Sequence, residues 1–176
     1  MALTTINARV PALDMDLLLA VKLLLLLTVA NGAPILAHAV LATRWEHPID
    51  AGRRFLDGRP LLGPSKTWRG LVVALLATPC AALLLGIPMS TGLLIAGTSM
   101  AGDMLSSFCK RRLRIEPSGM ALGLDQIPES LLPLLAVQQT FELAWADIAL
   151  LTLAFMVLEL VLSRIFYILR IRKQPY

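Results

Sequence analysis

Long apolar blocks alternate with polar segments along most of the chain, and the block lengths predict membrane-spanning helices. An α-helix needs roughly 20 apolar residues to cross the hydrocarbon core of a bilayer. Four blocks are close to that length. They predict spans at 17–41, 71–88, 92–108 and 148–169.

A fifth block, 127–141, is weaker, because Pro128, Glu129 and Pro133 interrupt its apolar residues. We expect a tilted span or a re-entrant segment there, since broken helices at membrane depth occur where they line protein or a wet cavity. The pattern as a whole predicts one all-α, polytopic domain over residues 1–176. It has about five transmembrane helices and two large polar loops.

Composition supports a membrane location. The chain is 57% hydrophobic and 16% charged, against roughly 25% charged in soluble proteins, and its mean hydropathy is +0.73. We expect no nucleic-acid partner. The two cysteines, Cys80 and Cys109, lie in or beside apolar blocks and are interpreted as reduced structural residues.

The basic residues predict sidedness. With five spans, fourteen of the 16 Lys and Arg residues fall on one side of the membrane, in the loop 44–69, in 110–114 and around the end of the last span. The positive-inside rule makes that side cytoplasmic. We therefore expect a multi-pass cell-membrane protein with its N-terminus outside, and with its C-terminus and both polar loops inside.

The first span contains Asn31-Gly32-Ala33-Pro34 near its middle. Pro34 lacks a backbone donor and disfavours helix at the residue before it, so an opened turn is expected. Asn31 is a candidate site residue, although a simple helix kink is an alternative explanation for this sequence.

Polar residues share one face of the third span. At helical spacing, an acid, hydroxyls and bases align, which is costly against lipid and typical of a polar cavity. These residues are Ser99, Asp103, Ser106, Ser107, Lys110 and Arg114. A second carboxylate, Asp125, follows in the next loop, and Glu159 lies in the middle of the last span as a further candidate.

The loop between the first two spans mixes acids and bases with Gly and Pro. Asp50, Asp57, Lys66, Thr67 and Arg69 could each contact a phosphate or a metal ion. The presence of any single Arg in this loop is sufficiently explained by the excess of basic residues that cytoplasmic loops carry. Carboxylates within a basic site suit Mg²⁺, which typically takes one or two carboxylates together with substrate phosphates. The chemistry indicates a phosphate-rich, cytoplasmic ligand at the membrane surface.

Four ordered motifs resemble those of a known family. They are NGAP at 31–34, PIDAGRRFLDGRPLLGPSKTWRG at 48–70, GDMLSSFCKRR at 102–112 and Asp125-Gln126. The chain is similar in these motifs to the CDP-archaeol synthase family, short relatives of the phosphatidate cytidylyltransferases (CDP-diacylglycerol synthases). It departs from the long diacyl enzymes, because their fuller His-Gly-Gly and Asp-Arg-x-Asp ending is absent.

The resemblance implies a Mg²⁺-dependent transfer of CMP from CTP to a membrane lipid phosphate, with release of pyrophosphate. The acceptor named for the family is an isoprenoid diether glycerol phosphate. Asp103 and Asp125 would be metal ligands. The implied phosphate contacts are Lys66, Thr67, Arg69, Lys110 and Arg111. Asn31, Asp50 and Asp57 are weaker transfers, with a role either in nucleotide binding or in loop structure. A homodimer is a further expectation.

Two alternatives stay open at this point. A CDP-alcohol phosphotransferase shares the membrane, the metal and the CDP-lipid, but only Asp57-Gly58 matches the start of its signature. A non-enzymatic small transporter or lipid-binding protein would carry the same polar residues within its spans.

Overall fold

The computed structural model describes residues 15–41, 44–116, 119 and 121–170, and this part of the chain is all-α. It contains five helices: α1 Leu17–Leu41, α2 Trp68–Leu84, α3 Met89–Arg112, α4 Gln126–Ala136 and α5 Trp145–Ile168. Of these, α1 and α5 are long and apolar enough to cross a membrane. The N-terminus and the end of the basic tail, on which part of the sidedness prediction rests, lie outside the described residues.

The boundaries of α2, α3 and α5 differ from the predicted spans, while α1 matches its prediction. Helix α2 begins at Trp68 because the Thr67 hydroxyl accepts the backbone N–H of Gly70 at 3.2 Å and caps the helix. Helix α3 continues to Arg112, so the basic run forms its last turn rather than the start of a loop. Cations at this end of the helix interact favourably with the negative end of the helix dipole. Helix α5 begins three residues early and ends one early.

The predicted break in α1 is wrong, because the helix continues through Pro34 to Leu41. Neighbouring elements support this stretch. A Cβ at Gly70 of α2 would lie 3.3 Å from the Pro34 side chain. The Asn31 amide donates to the Leu27 carbonyl at 2.9 Å, one turn earlier in the same helix.

Helix α4 is shorter than the predicted block, ending at Ala136 instead of residue 141. Its 11 residues extend about 16 Å, roughly half of the hydrocarbon thickness. It lies directly against α3 at Gly102, where any Cβ would collide with the carbonyl of Pro128. This close approach places the first turn of α4 beside the polar face of α3.

The helices pack around a core that α1 and α5 dominate. Leu26 and Leu27 of α1 and Phe155 of α5 are almost fully buried, with Leu134 of α4 in the same cluster. Helices α2 and α3 approach each other through small residues, as is common in membranes. A Cβ at Gly92 would lie 2.7 Å from that of Ala82.

The segment 44–67, called here the first loop, folds back on itself. Two isolated antiparallel bridges order it, one between Pro48 and Thr67 and one between Arg54 and Pro60. The second belongs to a small hairpin, in which Phe55 donates to the Arg59 carbonyl at 2.8 Å. The loop lies over the C-terminal end of α3, and the candidate site forms there.

Candidate active site

The polar face of α3 is buried against other elements, as the stripe in the sequence predicts. Ser99, Ser106, Ser107 and Lys110 are all less than 10% exposed. Arg114 does not belong to this face, because α3 ends two residues earlier and Arg114 adopts a left-handed backbone with φ 63°. The buried face is therefore shorter than predicted.

Asp103 pairs with Lys66, which the end of the first loop delivers to the middle of this face. Burial works to lower the pKa of Lys66, but the carboxylates of Asp103, Glu129 and Asp125 outweigh burial and raise this pKa above its usual 10.5. The neighbouring carboxylates thus favour the charged form of Lys66. The sequence predicted a role for both residues without predicting that they meet.

Glu129 is the site residue that sequence reasoning missed. It is 6% exposed, and its carboxyl group makes a side-chain hydrogen bond with Asp103. The contact depends on the close packing of α4 at Gly102. The signal in the sequence was a carboxylate inside an apolar block, which is costly unless it has a function.

A second Lys–Asp pair lies about two turns further along α3. Lys110 Nζ is 2.7 Å from Asp125 Oδ1 and 3.5 Å from the Gly119 carbonyl oxygen. Asp125 immediately precedes α4, so the N-terminal end of this helix places Asp125 and Glu129 beside α3. We call Lys66, Asp103, Lys110, Asp125 and Glu129 the charged cluster.

Arg111 adds a buried cation to this region. It is 4% exposed, and its Nη2 donates to the Glu116 carbonyl at 3.0 Å. Its Nε and Nη1 have no hydrogen-bond partner among the described residues. Buried guanidinium donors are normally satisfied, and a phosphate fits their planar geometry.

Asp50 braces the first loop. Its Oδ2 accepts the N–H groups of Leu62 and Gly63 at 2.9 and 3.0 Å, and its Oδ1 accepts that of Gly52. Burial works to raise the pKa of Asp50, but these backbone hydrogen bonds outweigh it and lower the pKa below 3.8. Both oxygens are committed to the loop, so of the two roles predicted for Asp50 the structure favours loop structure over nucleotide binding.

We expect Asp50→Asn to cost about 2 kcal/mol of stability at neutral pH, because it removes charge-assisted hydrogen bonds. A carboxylate with a lowered pKa stabilises the fold above its unfolded pKa, and this contribution is lost as the pH falls through the lower, folded pKa. The melting temperatures of parent and variant in detergent should therefore differ at pH 7 and converge below pH 3.8. A difference in melting temperature that persists below pH 3.8 would contradict this role of the Asp50 carboxylate.

Asp57 and Arg69 hold structural elements together. Asp57 contacts Arg112 at 3.2 Å and Arg59 at 3.9 Å, which joins the first loop to α3. Arg69 donates to the Arg44 carbonyl at 2.6 Å and approaches His38 Nδ1 at 2.8 Å, which joins α2 to α1. Their predicted contacts with a nucleotide or phosphate stay predictions, as does that of Thr67.

An apolar groove between α1 and α5 borders the polar face of α3. Gly32, Ile35, Phe155 and Leu162 are among its walls, with Asn31 and Glu159 among its polar lining. Asn31 exchanges hydrogen bonds of 3.0 and 3.2 Å with Ser99, one turn before Asp103. We call this lined space the α1/α5 groove.

The donor set fits a divalent cation that shares its ligands with a phosphate. Asp103 and Glu129 present neighbouring carboxyl oxygens, the ligand type that Mg²⁺ prefers. Among the described residues there is no group of three or more His, Cys, Asp or Glu that could hold a metal by itself. Phosphate oxygens would therefore complete the coordination.

Apolar spanning helices around a buried, mixed-charge cluster define a helical membrane enzyme. The family model for CarS-like CDP-archaeol synthase matches residues 14–176. A solved structure of an intramembrane enzyme for archaeal membrane lipid biosynthesis is 30% identical, with a TM-score of 0.74 over 84% of this chain and 94% of that one. The all-α prediction and the membrane location agree with this neighbour.

Curated relatives give the same family. A CDP-archaeol synthase of Saccharolobus islandicus is 33% identical over 92% of this chain and 97% of its own. One from Pyrobaculum calidifontis is 36% identical over 84% and 91%. One from Hyperthermus butylicus is 43% identical, but the match spans only 59% of that relative and 56% of this chain.

The chain belongs to the CDP-archaeol synthase family. It is accordingly a lipid-phosphate cytidylyltransferase, and the resemblance found in the four motifs is confirmed. The general reaction of the family is the CTP-dependent formation of a CDP-lipid.

Proposed function

We propose that this enzyme transfers CMP from CTP to the phosphate of an isoprenoid diether glycerol lipid at the cytoplasmic end of its helices, releasing pyrophosphate. The observation that carries the proposal is the charged cluster, in which the first loop, α3 and α4 bring two Lys–Asp pairs and Glu129 together. Cations there suit phosphates, and carboxylates suit the accompanying Mg²⁺.

The reaction is an in-line displacement at phosphorus. An oxygen of the lipid phosphate forms a bond to the α-phosphorus of CTP, while the bond from that phosphorus to the bridging oxygen breaks and its electrons leave with pyrophosphate. This needs no covalent enzyme intermediate, so positioning and charge stabilisation account for most of the rate. Lys66, Lys110 and Arg111 hold the phosphates and oppose the charge that develops on the leaving group.

Asp103 and Asp125 would hold Mg²⁺ together with phosphate oxygens of the nucleotide, and Glu129 lies beside Asp103. When bound, the ion neutralises phosphate charge and orients the triphosphate. Lys66 and Lys110 occupy the same carboxylates in the structure, so we infer that these lysines turn towards the phosphates when CTP binds. Their long, flexible side chains allow such a change without backbone movement.

The α1/α5 groove supports a route for the acceptor lipid. Its apolar walls suit a hydrocarbon chain, and it lies between the two helices long enough to span the membrane. The link from Asn31 to Ser99 connects it to the face that carries Asp103. We infer that one chain of the acceptor lies in the groove and brings its phosphate to the cluster.

The predicted sidedness stays part of this proposal, with the cluster facing the cytoplasm, the N-terminus outside and the C-terminus inside. The concentration of basic residues in the first loop and at the end of α3 supports it. A homodimer also stays a prediction.

Purified enzyme in detergent is incubated with radiolabelled CTP and Mg²⁺, with a diether glycerol phosphate or a diacyl phosphatidic acid in parallel reactions. We expect label in a chloroform-soluble product, lost with EDTA and greatest with the diether. Preference for the diacyl acceptor would correct the substrate. Absence of CTP binding would overturn the proposal.

A further inference from the structure

Arg112, the last residue of α3, has its side chain fixed by four groups. Its guanidinium carbon lies 4.8 Å from the ring centres of both Phe55 and Phe108, whose rings meet edge to face at 5.3 Å. The same group contacts Asp57 at 3.2 Å and donates to the Pro60 carbonyl at 2.6 Å. Three of these partners belong to the hairpin of the first loop.

Arg59 of the hairpin makes the converse contacts. Its Nη1 donates to the backbone carbonyls of Arg112 and Arg111, at 2.5 and 3.4 Å. Carbonyls at a helix C-terminus have no partner within the helix, so Arg59 supplies one. Each arginine therefore binds the backbone of the element that carries the other. We call this set of contacts between hairpin and helix the arginine latch.

The latch connects the two parts of the chain that supply phosphate-binding cations. On the helix side it follows directly after Lys110 and Arg111. On the loop side, Pro60 leads through the segment braced by Asp50 to Lys66. The latch thus constrains how far the Lys66 segment lies from the end of α3, although its own side chains are not in the charged cluster.

We propose that Arg112 and Arg59 are positioning residues, which hold the first loop on α3 in the conformation that receives the triphosphate of CTP. This inference rests on the proposed function. Ordering a loop residue costs conformational entropy. A latch that orders the loop before CTP binds removes that cost from the binding step.

Arg112→Ala should raise the KM for CTP about tenfold, with kcat within about twofold and the KM for lipid unchanged. Without the latch, the loop must become ordered when CTP binds, and it then stays ordered in the transition state. The lost free energy therefore appears in CTP binding and not in the chemical step. A tenfold change is about 1.4 kcal/mol. Arg112→Lys should fall between parent and alanine variant, because it keeps the charge beside Asp57 but not the planar group between two rings.

The matched control is Arg114→Gln, which removes the same charge two residues later from an exposed side chain and should leave both constants unchanged. Combining Arg112→Ala with Phe55→Ala tests whether the contacts act as a unit. We expect the double variant to resemble the worse single variant rather than to multiply the two effects.

A reduced kcat with an unchanged KM for CTP would overturn the inference, since a partly unfolded population loses active sites without weakening the remainder. Tryptic cleavage after the exposed residues Arg53 and Arg54 gives a readout independent of turnover. Cleavage should be faster in Arg112→Ala than in Arg114→Gln, and equal rates would overturn the latch. A parent enzyme without turnover would instead contradict the proposed function, and cleavage would still test the latch.

Discussion

Asp103→Asn is expected to reduce CMP transfer at least about 100-fold, the scale found when one preorganised electrostatic group is removed from an active site. Asparagine keeps the shape of the side chain but cannot supply the negative charge that Lys66 and a cation require. The measurement is label transfer from CTP to lipid at saturating concentrations of both substrates.

The main alternative explanation for lost activity is misfolding, because the variant leaves Lys66 buried beside a neutral amide. The double variant Asp103→Asn with Lys66→Met removes that stranded charge. It should restore the parent melting temperature in detergent without restoring turnover. Asp16→Asn is the matched control, since Asp16 is exposed before α1 and asparagine caps a helix equally well. More than a tenth of parent turnover in Asp103→Asn would contradict a role for this carboxylate in catalysis.

The sequence was most informative where a single helix determines the arrangement. The apolar block of α1 predicted its limits correctly, and the stripe on α3 predicted a buried polar face, because helical periodicity places residues four apart on one side. Asp103 and Lys110 were therefore identified as site candidates without knowledge of their neighbours.

The parts that could not be predicted depend on contacts between elements distant in sequence. Glu129 reaches Asp103 because Gly102 allows α4 to approach α3, and no local pattern encodes that approach. The interruption at Pro34 was overestimated for the same reason, since packing around α1 keeps the helix continuous there. Asp57 matched a family motif, yet its contacts belong to the latch, which requires the folded position of Arg112.

Gly32→Phe is expected to lower kcat/KM for the diether acceptor at least about 30-fold, while the Kd for CTP stays unchanged. A Cβ at Gly32 meets no atom within 4 Å, so a larger side chain can leave the backbone there, and Gly32 lines the α1/α5 groove. A lipid chain must then pack around the phenyl ring. Overpacking of this kind costs roughly 2 kcal/mol, which corresponds to about 30-fold.

Gly97→Phe is the matched control, because Gly97 also lies in a helix with open space at its Cβ, but on α3 and outside the groove. It should retain parent kinetics. Equal losses in both variants would indicate a general effect of a bulky residue in the membrane, and full activity in Gly32→Phe would place the acceptor chain elsewhere. Loss in Gly32→Phe alone, with CTP binding intact, would separate lipid entry from nucleotide binding and assign the groove to the acceptor.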